Sequence, residues 1–267
     1  LFRRHPDWMV AEDGRPKVCY KAWNKKIYAL DTTRPDVLAW LGEVFRTMAA
    51  AGFSYFKADF LFAAAMPGER ARPVTPIQAY REGLRAVREA VGSGSFLLGC
   101  GAPLLPAAGL VDGMRIGEDT APFWKTRPSA FQGPNAYFAL KNALTRSFLH
   151  RALWLNDPDC LLLRSSRTEL SANERTCYAL VAGALDNMIV ASDDLALVDD
   201  AGRALLDTAL RLRGGRAVVR GLLGEDFFLV ESRGGRAGRV DLAVNLSDDR
   251  RLYKQKAVPP RSAVLIR

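Results

Sequence analysis

The chain has 267 residues, of which 49% are apolar and 25% charged, enough for a large globular core. Its net charge of +9 comes from 38 basic and 29 acidic residues, with much of the excess in scattered arginines such as Arg3-Arg4 and Arg250-Arg251. These do not interleave with aromatics as a nucleic-acid track would, and no 18-residue apolar run free of charge is present to cross a membrane as a helix.

Residues 1–33 read as loop, with a turn at Gly14-Arg15-Pro16. A helix follows. Thr33 is placed to cap it, Pro35 suits its first turn, and Val37, Leu38, Leu41, Val44, Phe45 and Met48 recur at helical spacing before Gly52 ends it. A strand is expected over 54–60, then a helix over 75–91 with Ile77, Tyr80, Leu84, Val87 and Val91 on one face. Strands are expected over 96–100 and 114–117, a helix over 135–152, a strand over 160–163, a helix over 172–185, a strand over 188–191 and a helix over 199–212.

Strand alternating with helix implies parallel strands with helical crossovers. No G-x-G-x-x-G or Walker loop follows a strand, so a (β/α) barrel fits better than a nucleotide-binding sheet. Near Gly214 the pattern changes to strands without helices, over 217–222, 227–231, 240–246 and 263–267, with turns at Gly224-Glu225 and Gly234-Gly235. The expected fold is therefore α/β: a (β/α)8 TIM barrel lacking its first strands, with about strands 4–8 present in residues 1–213, followed by a small antiparallel β-domain in 214–267. The first residue is Leu1 rather than Met, and the remaining strands are expected upstream, so the isolated chain is expected to show little activity.

Four cysteines, Cys19, Cys100, Cys160 and Cys177, have no C-x-x-C spacing, which argues against a zinc site or a dense disulfide framework. Only two histidines, His5 and His150, are available as bases, so catalysis is expected to run on carboxylates. Along the strand at 54–60, Tyr55, Lys57 and Asp59 share one face and Phe56, Ala58 and Phe60 the other. That places Asp59 at the C-terminal mouth of a barrel beside an ammonium that favours its ionised form, as a nucleophile requires; a structural ion pair fits the spacing equally well.

The same parity groups Arg115, Gly117 and Asp119, so that Arg115 can orient Asp119 or hold sugar hydroxyls. Glu118 and the apolar Ala121-Pro122-Phe123-Trp124 surround Asp119 with features that favour a protonated carboxyl, suited to a general acid, although a loop aspartate is the simpler reading. Cys100 before Gly101 suggests close approach to a ligand, or a small core residue. Turn chemistry accounts for Asn156-Asp157-Pro158-Asp159, and a capping loop for Ser192-Asp193-Asp194. Trp23, Trp124 and Trp154 are candidates to stack on sugar rings, with core packing as the alternative.

Read together, these segments resemble the family 36 α-galactosidases, in the clan of retaining glycoside hydrolases that includes family 27. The resemblance rests on Leu1-Phe2-Arg3-Arg4-His5-Pro6-Asp7-Trp8, Trp23–Asp31, Tyr55-Phe56-Lys57-Ala58-Asp59-Phe60, Leu98-Gly99-Cys100-Gly101-Ala102-Pro103, Met114–Pro122 and Trp154–Arg164, and covers nearly the whole chain. It implies that Asp59 is the nucleophile, Asp119 the acid/base, and that Lys57, Cys100 and Arg115 line the galactose subsite; Trp23 is a further substrate-binding candidate. The resemblance implies α-galactoside sugars of the melibiose or raffinose type as substrates, no metal or organic cofactor, and no nucleic-acid or membrane partner; a homo-oligomer is compatible with it. This chain departs from the family pattern at Glu118, usually Pro, and at Lys21-Ala22, usually Arg-Asn. The motifs do not fix the acceptor, so an α-galactosyl transferase of the same clan is an alternative, as is a catalytically silent carbohydrate-binding homologue.

Overall fold

The computed structural model describes residues 1–125, 133–221 and 226–266, which divide into two units, Leu1–Met114 and Arg115–Arg267. The first unit begins with structure where loop was expected. A 3-10 turn at Pro6–Trp8 leads into two antiparallel hairpins, β1 (Ala11–Glu12) with β2 (Arg15–Pro16) and β3 (Val18–Ala22) with β4 (Lys25–Tyr28). Each turns on two residues in the left-handed region: Asp13 and Gly14 (φ 50° and 70°), and Trp23 and Asn24 (φ 49° and 56°). Such turns match the twist of paired strands; the turn expected at Gly14-Arg15-Pro16 lies at Asp13-Gly14, and Arg15 and Pro16 form β2. Beneath the hairpins, Trp8, Met9 and Val37 pack with Tyr28, Leu30, Trp40 and Leu41.

Helix α1 (Pro35–Ala50) starts at the expected proline, but Arg34 is its N-cap and Thr33 does not cap it. The Thr33 hydroxyl donates instead to the buried Asp31 carboxylate (2.7 Å), which also accepts the Ala71 N–H (2.7 Å). Helix α2 (Pro76–Val91) has a full capping box: Thr75 Oγ1 accepts the Gln78 N–H and Gln78 Oε1 accepts the Thr75 N–H. Such a cap contributes about 1 kcal/mol. Tyr80, Leu84, Val87 and Val91 are buried as the periodicity predicts, whereas Ile77, in the first turn, is exposed.

Strands β5 (Tyr55–Ala58), β6 (Phe96–Gly99) and β7 (Gly113–Arg115) are parallel, in that order. Phe56 and Ala58 are buried and Tyr55 and Lys57 exposed, the alternation expected of a strand packed on one face.

The second unit takes over at Arg115. Helix α3 (Ala136–Thr145) is capped by Asn135, whose Oδ1 accepts the Phe138 N–H (2.8 Å). It ends well before residue 152, giving way to a 3-10 turn at Ser147–Leu149 and to Arg151 in the left-handed region (φ 60°). The strand expected over 160–163 is only the two-residue β9 (Cys160–Leu161), and an unexpected short strand, β8 (Leu155–Asp157), precedes it. Pro158 between them has no N–H, and Asp159 has φ 79°, so one continuous strand cannot form. Helix α4 (Ala172–Ala184), with a Ser171/Glu174 capping box, leads to β10 (Val190–Ala191), parallel to β9. Asp199 caps α5 (Asp200–Leu212).

An antiparallel sheet follows, with β11 (Arg216–Gly221), β12 (Phe227–Gly235), β13 (Gly238–Asn245) and β16 (Ser262–Leu265) in the order β11-β12-β13-β16, and α4 packs against it. The hairpin β14 (Arg251–Tyr253) and β15 (Lys256–Val258) was not expected; it turns on Lys254 and Gln255, both left-handed. The turn expected at Gly234-Gly235 lies at Arg236-Ala237, because β12 continues through both glycines. The expected strand ends at Leu222 and Arg267, and the Gly224-Glu225 turn, lie outside the described residues.

A buried polar cluster joins elements of the second unit. Asp186 Oδ1 accepts the Gly214 N–H (2.9 Å), and its carboxylate also meets Arg151 and Arg213. His150, with its side chain 8% exposed, accepts the Asn156 N–H on Nδ1 (3.1 Å) and points Nε2 at Asp186, 3.8 Å away. The neutral ring must then carry its proton on Nε2, and protonating Nδ1 would displace the Asn156 bond. Burial lowers the His150 pKa from 6.5, with Asp186 opposing and Arg151 and Arg213 assisting. The unfolded chain therefore takes up this proton first on acidification. Its stabilising effect is full above pH 6.5 and is lost as pH falls from there through the folded-state pKa. Melting temperature should fall over that window, and His150→Asn, whose amide oxygen keeps the acceptor, should flatten the fall while lowering stability at pH 8. An unchanged pH profile in the variant would reject this assignment.

Candidate active site

In the first unit the site is built on the end of β5. After Ala58 the chain turns sharply: Phe60 has φ 55°, and its N–H donates to Asp59 Oδ1 (2.7 Å). The strict alternation therefore stops at Asp59. Phe60 was expected on the packed face and is instead 42% exposed. Lys57 Nζ stands 3.9 Å from Asp59 Oδ2, with both side chains about 40% exposed, so the expected pairing forms at the solvent-facing end of the strand. At that exposure the ion pair contributes little to stability.

Cys100 is buried, and its N–H donates to the Ala58 carbonyl (2.8 Å), which aligns the end of β6 with the end of β5. The next residue, Gly101 (φ 51°), lies so close that a Cβ would sit 3.2 Å from the Phe60 nitrogen and 3.3 Å from Asp59 Oδ1. Both the backbone sign and the space demand glycine here. Trp23 projects from the β3–β4 turn, 70% exposed, with its ring edge-on to Phe60 at 5.6 Å. Lys57, Asp59, Cys100 and Trp23 thus gather around one strand end.

In the second unit Arg115 organises the site. Its side chain is 7% exposed, and the guanidinium donates to three carboxylates: Asp119 Oδ1 (2.8 Å), Asp159 Oδ1 (2.6 Å) and Asp157 Oδ2 (3.3 Å). Asp119 itself is 70% exposed, held at its base and open at its tip. The expected pairing of Arg115 with Asp119 is therefore present. Glu118 does not face Asp119; its carboxylate accepts from Asn142 Nδ2 (2.9 Å).

Asp157 and Asp159 were read from sequence as turn chemistry, and their position in the site was missed. Asp157 Oδ1 accepts the Asp159 N–H (2.9 Å), as a turn aspartate does, but its other oxygen holds Arg115. Asp159 Oδ2 accepts the Thr120 N–H (2.6 Å), so one carboxylate clamps both Arg115 and the residue after Asp119. The Tyr178 hydroxyl donates to the Pro158 carbonyl (2.8 Å) and meets Thr120 Oγ1 (3.0 Å), closing the network; burial raises its pKa. Cys160, next in the chain, is pushed up to about 11 by burial and then by the Asp159 charge. The D-x-D pair around Pro158 was the available signal.

Three other expectations resolve as structure. Trp124 and Trp154 are buried, Trp154 donating to Asn156 Oδ1 (3.1 Å), so neither ring is a stacking platform. Asp194 caps a short 3-10 turn through the Ala196 N–H (3.0 Å), as a capping loop should, whereas the buried Asp193 accepts the Leu163 and Arg164 N–H groups from a distant segment. A cleft of about 720 Å3 in the second unit, lined by Phe148, His150, Arg151 and residues 214–219 among others, contains none of the predicted site residues.

No family model matches the chain. Among solved structures, it is similar to TtGalA, the α-galactosidase of Thermus thermophilus in complex with p-nitrophenyl α-D-galactopyranoside, at 32% identity and TM-score 0.73, over 90% of this chain and 48% of that one. It is also similar in fold to a GH27 β-L-arabinopyranosidase from Geobacillus stearothermophilus (17% identity, TM-score 0.64, 92% of this chain and 56% of that one). A third match is α-galactosidase I of Mortierella vinacea (15%, TM-score 0.58, 80% of this chain and 57% of that one). The chain spans about half the length of these structures. Parallel strands alternating with helices, a separate antiparallel sheet and these matches together give the chain the α-galactosidase-like fold at the level of the clan.

Proposed function

We propose that the whole protein is a retaining exo-α-galactosidase of the family 36 type, acting on terminal α-galactosides. In this reading residues 1–213 supply part of the catalytic barrel and 214–267 the C-terminal β-domain. The observation that most supports it is the position of the two carboxylates. Asp59 directly follows β5, and Asp119 lies four residues past β7, each next to a cation, in a chain 32% identical to an α-galactosidase with a galactoside bound. Carboxylates past the C-terminal ends of parallel strands stand where barrel enzymes carry their chemistry.

The reaction runs in two displacements. An Asp59 oxygen attacks the anomeric carbon as the glycosidic C–O bond breaks, and Asp119 gives its proton to the departing oxygen. The galactosyl ester on Asp59 is then attacked by water, whose proton passes to Asp119, and the Asp59 carboxylate is released. Lys57 Nζ stands 3.9 Å from Asp59 Oδ2 and faces the carboxylate from β5. Arg115, fixed by Asp157 and Asp159, holds Asp119 toward the leaving oxygen. Proton NMR of the full-length protein acting on p-nitrophenyl α-galactoside tests the whole scheme. α-Galactose should appear first and mutarotate later; β-galactose first, or no release, would rule the proposal out.

A further inference from the structure

Backbone strain gathers around Asp59. Trp23, Asn24 and Phe60 all have positive φ (49°, 56° and 55°), as does Gly101 (51°). Asn and Gly accept this region readily, but Trp and Phe adopt it at a steric cost. Burial does not offset that cost, since Trp23 is 70% exposed and Phe60 42%. Two large rings are held in an unfavourable backbone conformation without being packed away, and such strain persists chiefly where it serves a site.

The rings are also arranged. Phe60 is stacked against Tyr20 (5.9 Å, 16° between planes) and meets Phe62 edge-on (6.4 Å), so it is buttressed from behind. Trp23 stands edge-on to it at 5.6 Å. Phe60 is the residue after Asp59 and donates its N–H to that carboxylate, so the aromatic surface begins one peptide from the candidate nucleophile. Tyr20 lies within the field of the Asp59 charge, which adds to burial in raising its phenol pKa. An exposed indole beside a carboxylate and an ammonium is the chemistry that takes a pyranose, with its C–H face on the ring and its hydroxyls on the polar groups.

We propose that Trp23, backed by Phe60, is the platform on which the leaving-group sugar of an oligosaccharide stacks beside Asp59. It is a specificity-determining residue for the part of the substrate beyond the bond to be broken, and it rests on the reading of Asp59 as the nucleophile.

The test uses the full-length protein carrying Asp59→Asn, so that sugars bind without turnover, and calorimetric titration with raffinose and with galactose. Trp23→Asn is the informative second substitution, because Asn suits the left-handed turn position and removes only the ring. The ratio of raffinose to galactose affinity should fall about tenfold in W23N, equivalent to about 1.4 kcal/mol, while W23F keeps most of it. The unfolding temperature of W23N should match or exceed the parent's. If W23N does not fold, W23G gives the same readout. An unchanged affinity ratio overturns the proposal, as does absence of raffinose binding to the D59N protein. Hydrolysis by the parent protein is scored separately: its failure would sink the hydrolase reading, while a shifted affinity ratio would still support the platform.

Discussion

Asp59→Ala in the full-length protein is expected to lower kcat on p-nitrophenyl α-galactoside by about 10^4-fold or more, with little change in melting temperature. The size follows from losing the group that forms the covalent intermediate. The small stability effect follows from the structure: Asp59 is about 40% exposed, and its Lys57 contact is a long, solvated one. Removing the side chain opens space beside Gly101, where a small anion can approach the anomeric carbon from the nucleophile's side. Azide should therefore restore part of the activity and yield β-galactosyl azide, the product of one displacement rather than two. Near-wild-type hydrolysis by the variant, or α-galactosyl azide as its product, would remove Asp59 from this role.

The second large effect belongs to Asp119, and it should depend on the leaving group. For raffinose, whose departing alkoxide needs a proton, Asp119→Ala should cost about 10^3-fold in kcat/KM. For p-nitrophenyl α-galactoside the first step needs little acid help and should proceed, so the galactosyl-enzyme accumulates and a burst of nitrophenol precedes a slow steady state. Azide needs no base, and should speed that steady state and give α-galactosyl azide. Equal losses on both substrates would instead indicate that the substitution disturbs the fold. That outcome is not expected, because Asp119 is 70% exposed and Arg115 keeps its contacts with Asp157 and Asp159 when it is gone.

The opposite azide products separate the two carboxylates without any assumption about their relative placement. They also separate the chemistry from the stacking surface at Trp23, which acts on affinity for the leaving-group sugar and not on the stereochemistry of displacement.

Much of this site was legible in the sequence for a simple reason. Lys57 and Asp59 are two residues apart on a strand, and Arg115 and Asp119 are four apart across a strand end, so each pairing is nearly local. Gly101, read beside Cys100 as a point of close approach, lies against Asp59 and Phe60. What escaped was longer in range or conformationally unusual. The Arg115–Asp159 contact joins residues 44 positions apart, and a D-P-D run looks the same whether it caps a turn or clamps a guanidinium. The turn of Phe60 away from the core broke a rule of alternation that held for the residues before it. The β3–β4 hairpin escaped because Trp occupies a turn position where Asn or Gly is expected.

The sequence by itself determined the alternation of helices with parallel strands from Pro35 onward, the change to antiparallel β-structure after Gly214, and two acids each beside a cation. These depend on periodicity and on neighbours within a few residues, where propensity and capping act. The tertiary structure decided which carboxylates share Arg115, which tryptophans are buried, and which ring is left in solvent beside Asp59. Those outcomes depend on contacts between segments far apart in the chain, and side-chain alternation sets a face but not the partner that meets it.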